Sequence, residues 1–188
     1  MKPLPLRLSH RVLGRTFVVA LGLAGAACGP STQPPIPPTA SGEWHQFEGS
    51  WNAAGTRHTI PLGADRRGTI IDLRGTMLLA GSGRPGVGFR AEVIALSDSA
   101  TGLVGRSVWT DERGDQVFSE LKGEGTAAQN HIAGTILGGT GRYAGVTGSY
   151  EFSWRYVLEA EDGSIQGSAV GLKGRYRLGQ PTAGGVRP

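Results

Sequence analysis

Between residues 43 and 178 the chain runs in short stretches where apolar and polar side chains alternate, separated by turns rich in Gly, Asp and Ser. Residues 150–158 are the clearest: Tyr150, Phe152, Trp154, Tyr156 and Leu158 fall on one face, with Glu151, Ser153, Arg155 and Val157 on the other. Successive strand side chains point to opposite faces, so a repeat of two marks a strand with one buried face. Phe89, Ala91, Val93 and Ala95 repeat in the same way, and Ile71, Leu73, Met77 and Leu79 do so through Gly75. Residues 132–137 are β-branched and apolar, and no window carries a 3.6-residue apolar stripe. Hairpin turns are signalled at 111–115 and 161–164, each with a Gly able to take positive φ. The pattern predicts strands near 43–51, 56–62, 67–80, 87–98, 102–110, 115–125, 130–138 and 147–160, with a further one at 164–178. Short connections favour an all-β, antiparallel up-and-down barrel of eight strands, or nine, with a calycin-like form over a Greek-key sandwich. Glycines within the strands (Gly75, Gly105, Gly134, Gly167, Gly171) suit the sharp coiling of a closed barrel.

The remainder of the chain differs in character. Residues 1–27 carry Lys2, Arg7, Arg11 and Arg15, no acid, and then a 12-residue apolar core from Thr16 to Ala27. That core suits a signal peptide and falls short of the roughly 20 residues that span a bilayer. Cys28, the chain's one cysteine, follows directly, and residues 29–42 hold five prolines and no charge. Such a segment favours extended polyproline II and serves as a semi-rigid tether. The order basic, apolar, small, Cys, tether resembles a bacterial lipoprotein, with Gly25 standing where that family has Leu. The resemblance implies that Cys28 is lipidated and holds the domain at a membrane of the cell envelope. Cleavage after Ala24-Gly25-Ala26 is the alternative, giving a soluble periplasmic or secreted protein. Residues 179–188 read as a disordered tail.

Charge follows from this division. The net charge of +4 comes from 19 basic and 15 acidic residues, and removing the leader leaves 15 of each. A basic footprint for nucleic acid therefore vanishes with the leader. A lone cysteine excludes an intrachain disulfide and a cysteine zinc cluster. His45, His58 and His131 are too scattered for metal-ligand spacing, so no metal or cofactor is expected. A transmembrane barrel needs an apolar outward face. Here the faces opposite the apolar ones carry Asp72, Arg74, Arg90, Glu92, Glu120, Lys122, Glu151 and Arg155, which suit water.

The run Gly138-Gly-Thr-Gly-Arg-Tyr-Ala-Gly145, followed by Gly148, invites a phosphate-loop reading. Such a loop follows a strand and opens a helix, whereas here a strand follows and no Gly-Lys-Ser/Thr is present. The turn motif Gly138, Gly139, Thr140, Gly141, Arg142, Tyr143 and Gly145 instead resembles a hairpin of the allene oxide cyclase and dirigent barrels, and the 109–116 hairpin agrees with bacterial dirigent-like proteins. The resemblance covers about 67–178. It implies an eight-stranded antiparallel barrel with an apolar interior, often trimeric, whose plant members steer oxidised lipids or phenolic radicals. The family's catalytic acids map to no particular position of this chain.

Phe89, Trp109, Phe152, Trp154 and Tyr156 are the side chains expected to line an interior, either as plain core or as the wall of a ligand cavity. Glu92, Asp111, Asp115 and Glu120 could supply an acid or base, and Glu92 is the candidate for a buried polar pair. Asp111 and Asp115 flank a turn and are expected to be solvated there. Arg142 and Tyr143 are placed to cap a barrel mouth. Three functions stay open: an envelope barrel holding a small hydrophobic ligand or binding a partner, a cyclase- or dirigent-like steering enzyme, and a structural envelope protein with a solid core.

Overall fold

A computed structural model of the protein describes residues 42–81, 84–124 and 130–179. Residues 1–27, read above as a signal peptide, Cys28, the proline-rich segment to residue 41 and the tail from 180 lie outside the described residues.

Eight antiparallel strands form one closed barrel in chain order. They are β1 (His45–Pro61), β2 (Arg67–Gly81), β3 (Arg84–Asp98), β4 (Gly102–Thr110), β5 (Gln116–Gly123), β6 (Asn130–Gly139), β7 (Thr147–Glu159) and β8 (Ser164–Arg177). β8 pairs back onto β1, so no edge is left open. A single 3-10 turn, Gly141–Tyr143, joins β6 to β7.

The period-two pattern maps onto the wall as expected. Phe89, Ala91, Val93 and Ala95 point inward, as do Ile71, Leu73 and Met77. The outward face carries ion pairs such as Arg106–Glu120 and Lys122–Glu120 at 3.2 Å, and Lys173–Glu151 at 3.1 Å. It also carries exposed apolar side chains, among them Ile70, Ile94, Leu96 and Val104.

Two expectations are corrected. The stretches 43–51 and 56–62 are one strand, which reduces nine to eight. The intervening Asn52-Ala-Ala-Gly55 continues it because β1 and β2 approach very closely there. A Cβ on Gly55 would stand 1.9 Å from the Asp72 carbonyl oxygen, and one on Gly75 would stand 1.9 Å from that of Asn52. Leu158, expected beside Tyr156, is instead outward and half exposed. The register against β8 shifts between Tyr156 and Leu158, and a bulge of one residue inverts the facing of all that follows.

Candidate functional site

The two ends of the barrel differ. The terminal end holds the start of β1, the finish of β8, the β4–β5 hairpin and the 3-10 turn. The distal end holds the β1–β2, β3–β4 and β7–β8 connections, with the finish of β5 and the start of β6.

Between them the waist is plugged. Tyr150 of β7 crosses the interior to Ser119 of β5, with hydroxyl oxygens 2.7 Å apart. Ser119 and its cross-strand partner Ser107 of β4 lie 2.6 Å apart, and Ser107 is 3.3 Å from Tyr150. Gly134 makes the crossing possible, since a Cβ there would sit 2.1 Å from Cζ of the Tyr150 ring. Trp109 closes the other side, ring centre to ring centre 4.8 Å. Only about 10 Å³ is left open. Burial pushes the Tyr150 phenol up, against the pull of the two serine hydroxyls, so it stays neutral at pH 7. These serines escaped the sequence reading. Their signal was present as small polar residues at the inward parity of Trp109, Val117 and Leu121.

The distal cavity has about 330 Å³, within the size range of small-ligand sites. Its inner wall is apolar and aromatic: Trp51, Phe152 and Trp154, with Leu73, Val93 and Ile132. Trp51 and Trp154 are 5.1 Å apart at 47°, and Trp154 meets Tyr156 edge-on at 6.0 Å. Gly167 admits the Trp154 indole, because a Cβ there would lie 2.4 Å from Cζ2. The Nε1 groups of Trp51 and Trp154 are buried without an acceptor among the described residues. The rim is polar. Arg57 forms an ion pair with Glu159 and lies 5.9 Å over the Tyr156 ring. Thr69, Ser97, Ser99, Arg67 and Glu124 are its other polar members among the described residues.

The terminal cavity is smaller, about 130 Å³, and its walls include Phe47, Phe89, Trp109, Ile136 and Tyr176, with Tyr143 over it. Tyr143 is held by a latch between two turns. The Gln116 carbonyl accepts the Thr140 N–H at 2.8 Å, and the Gln116 N–H donates to Thr140 Oγ1 at 2.9 Å. Gly141 has φ +51° and leaves no room for a Cβ, which would lie 1.8 Å from Asp115 Oδ1. Arg142 Nη2 reaches Asp111 Oδ2 at 2.6 Å and Glu112 at 3.2 Å, while its Nε donates to the Tyr143 hydroxyl at 3.0 Å. Burial would raise the Asp111 carboxyl. The N–H groups of Arg113 and Asp115 on Oδ1, with Arg142, outweigh it and hold the carboxyl below its ordinary range. Burial pushes the Tyr143 phenol up to about 12, although the Arg142 guanidinium pulls the other way.

The five aromatic candidates thus divide. Phe89 and Trp109 line the terminal cavity, and Phe152, Trp154 and Tyr156 line the distal one. Glu92 joins neither. It lies on the outer face of β3, 3.7 Å from Arg90, because its parity is opposite to that of Ala91 and Val93. The buried polar group is the Ser107–Ser119–Tyr150 set instead. Glu120 is also outward, between Arg106 and Lys122. Asp111 is not the solvated turn residue expected: its side chain is fully buried, because Arg142 from a distant turn supplies the opposite charge. Arg142 and Tyr143 do stand at a mouth, the terminal one.

No protein-family model matches the chain, and no curated protein matches it. Among solved structures, a pterocarpan synthase dirigent protein aligns with 82% of this chain and 100% of its own length, at 13% identity and a TM-score of 0.47. A likeness of that strength leaves the functional reading to the barrel's own geometry.

Proposed function

We propose that the protein is an exported, lipid-anchored barrel that holds a small hydrophobic ligand in its distal cavity. The observation that carries this reading is the cavity itself: about 330 Å³ behind a polar rim, with tryptophan and phenylalanine walls and a sealed floor. Apolar walls with few polar groups suit a ligand bound chiefly by burial of its surface. Holding is favoured over converting. Glu92, Asp111, Asp115 and Glu120 all lie away from this cavity, and the carboxylates beside it, Glu124 and Glu159, belong to its rim. The waist phenol is neutral and hydrogen-bonded to serines, an arrangement that fixes the plug. Export and anchoring rest on the 1–27 leader, Cys28 and the proline-rich segment.

Native mass spectrometry of the protein purified from its host under gentle conditions tests the ligand. A reproducible added mass, lost on denaturation, is expected. A bare protein mass that stays bare after incubation with an envelope lipid extract would refute the reading. The same spectrum reports whether the barrel is a monomer or a trimer. Labelled palmitate should enter the full chain and be absent from Cys28→Ala; labelling that survives the substitution refutes the anchor.

A further inference from the structure

We infer that the distal cavity takes a singly anionic amphiphile, an apolar body of medium length bearing one carboxylate, with the carboxylate held at Arg67. The inference rests on the reading of this cavity as a ligand site and adds the chemistry of the ligand.

Three arginines stand near the distal rim, and two are already neutralised. Arg57 is paired with Glu159. Arg66 clasps Asp98, its Nε 3.0 and 3.1 Å from the two carboxylate oxygens and its Nη2 at 2.6 Å. That clasp takes the nearest acid on β3 and leaves Arg67, next in sequence, without an ion-pair partner among the described residues. Arg67 lines the cavity, and its backbone is fixed against the β3–β4 turn. Its N–H donates to Ser99 Oγ at 3.0 Å, and its carbonyl accepts the Ser99 N–H at 3.0 Å.

The surroundings of Arg67 suit an anion. Thr69 and Ser97 are cross-strand partners in the same wall, one step deeper; the Ser97 hydroxyl can donate to a carboxylate oxygen, and that of Thr69, 2.9 Å from the Thr59 hydroxyl, can do so while accepting from Thr59. Deeper still the same two strands offer Ile71, Leu73, Val93 and Ala95, so polarity falls steadily from rim to floor. Glu124, just past the end of β5, also lacks an ion pair among the described residues. The lining on that side of the cavity is otherwise Leu103 and Leu121, so among the described residues it gives a cationic head no counterpart of the Thr69–Ser97 pair.

Size follows from the same wall. From Arg67 to Leu73 the strand advances about 20 Å at ~3.3 Å per residue, which a tilt of roughly 40° reduces to about 15 Å of depth. The volume of 330 Å³ equals about eleven waters at ~30 Å³ each. A carboxylate on some ten carbons fills that space, whereas a long-chain lipid does not.

The test uses the full-length protein and three probes sharing a ten-carbon tail: decanoate, decanol and decyltrimethylammonium. Each is titrated calorimetrically below its micelle-forming concentration. Decanoate should bind about 10-fold more tightly than decanol, the worth of one charge-assisted hydrogen-bonded contact at a partly solvated rim. Arg67→Gln should erase that preference while leaving decanol affinity unchanged, and Arg90→Gln, on the outer wall of β3 away from the cavity, should preserve it. Equal affinities for decanoate and decanol, a preference that survives Arg67→Gln, or tightest binding of decyltrimethylammonium overturns the headgroup assignment and leaves the cavity reading standing. If none of the three tails binds, or if binding persists in a folded Ala95→Trp variant whose indole fills the cavity, the cavity reading falls and takes this inference with it.

Discussion

Gly134 carries the one contact on which the division of the barrel into two cavities depends, so Gly134→Ala is an informative perturbation. An ideal Cβ would sit 2.1 Å from Cζ, 2.4 Å from Cε1 and 2.5 Å from Cε2 of Tyr150, well inside any real carbon–carbon contact. The ring has little room to tilt. Trp109 stands 4.8 Å away on one side, Phe152 stacks at 6.3 Å, and the hydroxyl is tied to Ser119. Overpacking of this kind costs about 1–3 kcal/mol. Driving the phenol off its serines leaves buried hydroxyls unpaired, for about 1–3 kcal/mol more. The sum, about 2–6 kcal/mol, corresponds to a fall in Tm of roughly 4–24 °C at about 2–4 °C per kcal/mol. Calorimetric or near-UV circular dichroism melts of four proteins resolve the cause: parent, Gly134→Ala, Tyr150→Leu and the double variant. Tyr150→Leu removes the ring and opens the waist, so the methyl at 134 then meets space. The double variant should therefore lose less than the sum of the singles by at least ~1 kcal/mol. A Gly134→Ala protein that melts within about 2 °C of the parent, or strict additivity in the cycle, would refute the seating of Tyr150 on Gly134.

The remaining predictions concern the latch and the acidic limb of stability. Asp111→Asn should destabilise by about 1–3 kcal/mol in denaturant titration, below the 3–5 kcal/mol of a fully buried pair because Arg142 is partly solvated; no change in midpoint would show that the ion pair does not hold the turns together. Asp98, held by the Arg66 hydrogen bonds at a pKa of about 2 against an ordinary 3.8, contributes stability that is fully present above about pH 4. Protonation removes that contribution as pH falls through about 2, so the melting temperature of Asp98→Asn should lie below the parent's at pH 6 and converge on it near pH 2. A gap that is constant with pH would contradict the assignment.

The strands were legible because burial at every second residue is a local property, visible within five to nine positions. Tyr150, Phe152 and Trp154 announce their own facing. What was hidden depends on residues far away in the chain. Gly55 reads as a break until the Asp72 carbonyl oxygen is brought to 1.9 Å from its missing Cβ. Asp111 reads as a turn residue in water until Arg142, 31 positions on, arrives to neutralise it. Leu158 follows the alternation faithfully, and only the slip against β8 turns it outward. The aromatic set was visible as interior but not as two groups, because the partition is made by Tyr150 passing over a glycine of the neighbouring strand. Ser107 and Ser119 needed a partner from β7 before two ordinary serines became the anchor of that partition.

An even count of antiparallel strands closed in chain order brings the chain back to where it started. His45 and Tyr176 are neighbours across the β1–β8 seam, their rings 5.4 Å apart, and Leu178 lies against Gly42. Residues 42 and 179, the first and last described, therefore both stand at the end of the small latched cavity, opposite the mouth that Arg57 and Arg67 surround. A domain joined directly after residue 179 therefore starts from the end opposite the ligand mouth. A barrel of nine strands would have sent one terminus out beside the distal mouth, so merging two apparent strands into one long β1 also settles which opening stays clear.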